Sequence, residues 1–242
     1  MSALLEVSHL TRSFGAVRAV GDVSFTVPQG ELLGLIGPNG AGKTTLFNII
    51  AGALAPSSGT MFFAGRNVTG WKSYAMARIG VARTFQIPKP YRQLSVVENV
   101  MLSAFLQAKP VSMARKLAEE VLSEAGLIEF AASPVNALTT GFLKRLEVAR
   151  ALAARPKLVL FDEIMAGLTP AEVAEMTNLV ATLPARGVTV IWVEHVLYAI
   201  MKTATRILVL DRGKLIADGP PEAVAHDPAV IKAYLGEGPV LA

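Results

Sequence analysis

The sequence predicts an α/β fold: a mostly parallel sheet with helices on both faces. Three observations carry that expectation. Within residues 31–36, Leu32, Leu33, Leu35 and Ile36 form a nearly continuous apolar run, the pattern of a strand buried on both faces. A Gly-rich turn leads from it into residues 44–51, where Leu46, Phe47, Ile49 and Ile50 suit a helix that Gly52 can end in the left-handed conformation. Strand-like runs then recur at 158–161, 188–193 and 207–210, the first two separated by a helix-like stretch at 171–183.

The remaining elements follow in order. Residues 4–7 and 23–27 read as short β runs ahead of the buried strand. From about Val96 to Ala154 the pattern turns helical, with apolar residues spaced three and four apart at 113–125 and 143–154 and Lys and Arg on other faces. Thr169, Pro170 and Glu172 read as N-cap, first-turn proline and capping-box acid. Residues 211–214 form a tight turn into 215–218. Without repeats or a long linker, residues 1–242 read as one domain.

Composition excludes several classes. Of 242 residues, 52% are hydrophobic and 17% charged, which argues against disorder. No apolar run reaches the ~18 residues of a membrane-spanning helix, and the N-terminus lacks the pattern of a secretory signal. Cysteine is absent, so there are no disulfides or thiolate metal sites. The net charge of +4 is mild and its basic residues are dispersed, reading as a solvated surface with no nucleic-acid partner.

The chemistry sits in the Gly-rich turn. Gly37, Pro38, Asn39, Gly40, Ala41, Gly42, Lys43 and Thr44 satisfy the G-x-x-x-x-G-K-[ST] pattern of a phosphate loop. Its glycines let several backbone N–H groups face one anion, and the following helix adds the positive end of its dipole. Lys43 supplies a charge for β- and γ-phosphates, and the Thr44 hydroxyl suits Mg²⁺. About 120 residues later, the apolar run 158–161 ends in Asp162 and Glu163, which places one acid toward Mg²⁺ and the next near an attacking water. By themselves, Gln86 after an apolar strand reads as a first loop residue, and His195 as a surface or capping residue.

Taken in order, these residues resemble the nucleotide-binding subunit of ABC transporters across almost the whole chain. Residues 37–45, including Thr45, resemble Walker A; Gln86 the Q-loop glutamine; 158–162 Walker B; Glu163 its catalytic acid; 166–169 the D-loop; and His195 the switch histidine. Phe14 resembles the aromatic that stacks on adenine. Ala82-Arg83-Thr84-Phe85-Gln86, Ala166-Gly167-Leu168-Thr169-Pro170 and Ala233-Tyr234-Leu235-Gly236 resemble the branched-chain amino acid importer ATPases, the first of that system's two ATPase subunits.

The resemblance implies a P-loop NTPase with a RecA-like core, an antiparallel β subdomain and a helical subdomain around 88–153. It also implies two cassettes sandwiching two ATP molecules, each site using the partner's signature helix, on the cytoplasmic face of the plasma membrane. Permease subunits and, indirectly, an extracytoplasmic solute-binding protein would complete the transporter. Thr44, Gln86 and Asp162 would hold Mg²⁺, while Lys43, Glu163 and His195 would serve hydrolysis. Where the family has LSGGQ, this chain has Leu138-Thr139-Thr140-Gly141-Phe142, keeping a hydroxyl at Thr139 and an open backbone at Gly141. Phe142 replaces a hydrogen-bonding amide, implying a weakened or retuned site. The competing readings are a subunit that traps ATP but hydrolyses it poorly, and a non-transport ABC-type ATPase.

Overall fold

The structure is a computed structural model describing residues 3–235. The first two strands, β1 (Ala3–Phe14) and β2 (Val17–Pro28), make a hairpin turning at Gly15, whose φ is 57°. In β2, Val23, Phe25 and Val27 are buried while Asp22, Ser24 and Thr26 are exposed, the period-two alternation of a sheet wet on one face. β3 (Leu32–Ile36) opens the second sheet, and α1 (Lys43–Ile50) follows it. β4 (Ser58–Phe63) and β5 (Arg66–Asn67) complete the first sheet in the order β2-β1-β4-β5.

Next come α2 (Ser73–Arg78) and β6 (Val81–Arg83), then the helices α3 (Val96–Ala104), α4 (Val111–Glu124) and α5 (Thr140–Ala153). The chain re-enters the sheet as β7 (Leu158–Asp162), followed by α6 (Pro170–Thr182), β8 (Thr189–Val193), α7 (Leu197–Thr203), β9 (Arg206–Asp211) and β10 (Lys214–Gly219). Two short helices, α8 (Pro221–Ala225) and α9 (Pro228–Leu235), end the described chain. The sheet order is β10-β9-β3-β8-β7-β6, parallel except for the β9–β10 hairpin.

Every residue of β3, β7 and β8 is buried. Leu33 and Leu35 enter a core shared with α1 and the first sheet, and Leu32 and Ile36 one shared with α3–α7. That two-sided burial is why the strand sequence is continuously apolar. Because β3, β7 and β8 run parallel, Gly37, Glu163 and His195 leave the same edge, where open α/β sheets bind ligands.

The capping box at Thr169 forms as expected: its hydroxyl accepts the Glu172 N–H, and the Glu172 carboxylate accepts the Thr169 N–H at 2.8 Å. Thr169→Ala should therefore cost about 1 kcal/mol, lowering the melting temperature by about 2–4 °C in a thermal scan. β1 and β2 extend well beyond residues 4–7 and 23–27, because their polar ends still pair through the backbone ladder, joined by side-chain bonds such as that of Asp22 with His9. α5 begins at its Thr139 cap, ahead of residue 143, so Thr140, Gly141 and Phe142 form its first turn. Gly236 lies outside the described residues. Among those described, no helix is long and apolar enough to cross a membrane.

Candidate functional site

The phosphate loop leaves the end of β3 and packs against backbone from two other segments. A Cβ on Gly37 would lie 2.1 Å from the Leu210 carbonyl oxygen, and one on Gly42 2.2 Å from that of Ala19. Gly42 also has φ 103°, a conformation other residues rarely adopt. α1 starts without a side-chain cap or a first-turn acid, so its leading N–H groups remain for an anion. Lys43 is buried, and its Nζ donates to the carbonyls of Gly37 (2.6 Å) and Pro38 (3.0 Å). Burial pulls its pKa down, and the Glu163 carboxylate opposes that shift.

A cavity of about 210 Å³ lies over the loop, lined by Ala19, every residue from Asn39 to Thr45, Glu163 and His195. The Glu163 carboxylate is held from two sides. Gln86 Nε2 donates to Oε2, and His195 Nε2 lies 2.9 Å from Oε1, within hydrogen-bond distance. Glu163 itself takes φ 48°, uncommon for a residue with a side chain.

Asp162 is buried at the end of β7, and Arg83 Nη2 donates to its Oδ2 at 2.8 Å. Arg83 also reaches the Asn48 side chain on α1, and the Asp162 N–H donates to Thr84 Oγ1 at 3.2 Å. Glu194 lies just before His195, buried and accepting the Met165 N–H at 2.8 Å. Burial pushes its pKa up from 4.5. The folded protein therefore binds this proton more tightly than the unfolded chain, and stability falls as pH rises from 4.5 through the folded value. Urea titrations across that window should show a flatter pH dependence for Glu194→Gln than for the parent.

Phe14, Gln86, Thr139, Gly141 and Asp162 do not line the cavity. Gln86 reaches it only through Glu163, while Phe14 is 47% exposed with the Arg12 guanidinium 4.7 Å from its ring centroid. Thr139 caps α5, accepting the Phe142 N–H at 3.4 Å. A Cβ on Gly141 would meet Glu172 Oε1 at 2.0 Å, so a larger residue there would displace the end of that side chain. Phe142 turns into its own chain, its ring centroid 4.7 Å from that of Phe130. Phe142→Gln should remove that aromatic contact, worth about 0.5–1.5 kcal/mol, and lower the melting temperature.

Sequence reasoning missed Arg83, Glu194 and Lys144. Arg83 and Glu194 carried a signal, each being a charge within or ending an apolar strand. Lys144 corrects the expectation that the basic residues of this helix occupy other faces. It is 3% exposed and buried beside the sheet edge.

A phosphate loop on a parallel sheet, facing a strand-end acid held by a glutamine and a histidine, places the protein among the P-loop ATPases. Family comparison narrows the class. The ABC transporter model matches residues 20–166, and the branched-chain amino acid ATP-binding cassette transporter model matches 214–240. This chain belongs to the ABC transporter family and is one of its ATP-binding cassettes, an ATPase coupled to transport.

Among its relatives, it is 36% identical to the high-affinity branched-chain amino acid transport ATP-binding protein BraF of Pseudomonas aeruginosa, over 97% of this chain and 98% of that one. It is also 36% identical to the lipopolysaccharide export system ATP-binding protein LptB of Acidithiobacillus ferridurans, over 98% of each. An ATP-binding cassette of an ABC transporter, solved in its ADP conformation, superposes with a TM-score of 0.87 at 29% identity, covering 98% of this chain and all of that one. A dimeric cassette in a post-hydrolysis state with ADP and Pi gives 0.81 at 26% identity, over 90% and 98%.

Proposed function

We propose that this chain powers an importer of branched-chain or other hydrophobic amino acids, or of related small polar solutes. It would act at the cytoplasmic face of the plasma membrane as one of two paired cassettes, identical or different. Its other partners would be integral permease subunits and, indirectly, an external solute-binding protein. The match over residues 214–240 favours this cargo over the lipopolysaccharide that LptB's name carries. Pairing is supported by the dimeric relative. A groove of about 250 Å³ between α2, β6, α3 and α5 supports docking to a permease, since exposed Phe85 and Leu106 line it with apolar surface.

The clamp on Glu163 beside the phosphate loop is the observation that carries the catalytic reading. ATP would enter over the loop, and Lys43 would exchange the Gly37 and Pro38 carbonyls for β- and γ-phosphate oxygens. Glu163 would orient or deprotonate the attacking water, and His195 would contact the γ-phosphate. Phe14 would stack on adenine, while Thr139 and Gly141 would present the start of α5 to the partner's nucleotide. The hydroxyl of Thr44, the amide oxygen of Gln86 and the carboxylate of Asp162 would supply hard oxygen ligands of the kind Mg²⁺ takes, together with phosphate oxygens and water. When bound, that ion neutralises charge on the phosphates.

Cells lacking the chain should lose uptake of labelled leucine, with the parent chain restoring it and Lys43→Ala failing to do so. Undiminished leucine uptake in those cells would overturn the cargo assignment.

A further inference from the structure

Lys144 is a buried cation that joins two loops of the site through their backbones. On α5 it is 3% exposed, and its Nζ donates to the carbonyl oxygens of Gln86 and Glu163, the latter at 3.1 Å. Those residues come from opposite ends of the helical insertion, and their side chains also bond to each other. The acids acting on Lys144 are Glu194 after β8, Glu163 and Asp162 at the end of β7, and Glu147 on α5 itself.

The geometry at Glu163 shows what the ammonium does. A non-glycine residue at φ 48° keeps that conformation only where its surroundings hold it. Three bonds to its backbone do so: its N–H donates to the Val193 carbonyl at 2.9 Å, and its carbonyl accepts from Lys144 at 3.1 Å and, at the longer distance of 3.4 Å, from the Ala166 N–H. The same ammonium fixes the Gln86 backbone, and hence the root of the amide that touches the Glu163 carboxylate. One turn before Lys144, α5 carries Gly141, two residues after its Thr139 cap. A rigid helix therefore connects the segment expected to face the partner's nucleotide with the backbone of both catalytic-edge loops.

We propose that Lys144 is a positioning residue that sets Glu163 and Gln86 together, so that the placement of α5 governs the rate of the chemical step in this chain's own site. Lys144 does not line the cavity over the phosphate loop, so its effect belongs on turnover and not on nucleotide capture. The proposal rests on the reading of Glu163 as the residue that activates water.

The test compares Lys144→Met, Lys144→Arg and Glu163→Gln in the full-length chain. Steady-state ATP hydrolysis, equilibrium binding of a fluorescent ATP analogue and thermal melting are measured for each. For Lys144→Met, kcat should fall at least about tenfold, since small misplacements of catalytic groups carry large rate effects, while KM and analogue affinity stay within about threefold. Lys144→Arg retains N–H donors and should recover a substantial part of kcat. An unchanged kcat in a folded Lys144→Met overturns the proposal. So does equal loss of kcat and analogue binding in both variants, which marks a purely structural role. Retained turnover in Glu163→Gln would instead sink the underlying assignment of that acid, whatever the Lys144 variants do.

Discussion

Glu163→Gln should reduce ATP turnover by about 10²–10⁴-fold, the range for losing a positioned general base, while ATP still binds. The amide is nearly isosteric with the acid, and its oxygen can still accept from one neighbour, Gln86 or His195, while its NH2 group cannot accept from the other. It cannot accept a proton from water, however. The cavity wall stays in place, as do Lys43 and the uncapped start of α1, so nucleotide capture is preserved. Single-turnover hydrolysis alongside equilibrium binding separates the two effects. Hydrolysis at the parent rate would remove Glu163 from the chemistry, and lost binding would show that its carboxylate supports the loop.

Gly42→Ala should abolish nucleotide binding, whereas Gly40→Ala should be milder. At Gly42 the added methyl would meet the Ala19 carbonyl at 2.2 Å, in a conformation with φ 103°. Backbone cannot yield as a flexible side chain can, so the loop must open or the hairpin carrying Ala19 must shift. Gly40 has φ 80° but open space around it, leaving only the conformational strain of about 1–2 kcal/mol. Melting curves and titration with a fluorescent ATP analogue should rank the variants in that order. Equal behaviour of the two would show that packing against Ala19 does not shape the loop.

The sequence was legible where one local rule governed the outcome. The spacing from Gly37 to Thr44 declares a phosphate loop, the apolar run of β3 declares two-sided burial, and Thr169 with Glu172 declares a helix start. The missed elements obey no such local rule. β5 has only two residues, both exposed, and β4 is defined by pairing with β1, some fifty residues earlier. α7 and α8 are too short to show a period.

The site divides in the same way. Gln86 and His195 looked ordinary in sequence because their meaning lies in a shared contact with Glu163, which the parallel order of β6, β7 and β8 creates. Lys144 was the hardest to see. A lysine on an amphipathic helix reads as solvated, and only two distant carbonyls and nearby acids make its burial tolerable. Phe142, which looked like a lost contact to nucleotide, packs its ring on Phe130.

The most direct test couples chemistry to transport. ATP hydrolysis and solute uptake should be measured together in proteoliposomes carrying the complete transporter, with the parent chain and with Glu163→Gln. The account predicts that both activities fall together while the variant still binds ATP. Sustained uptake without hydrolysis by this chain would contradict it.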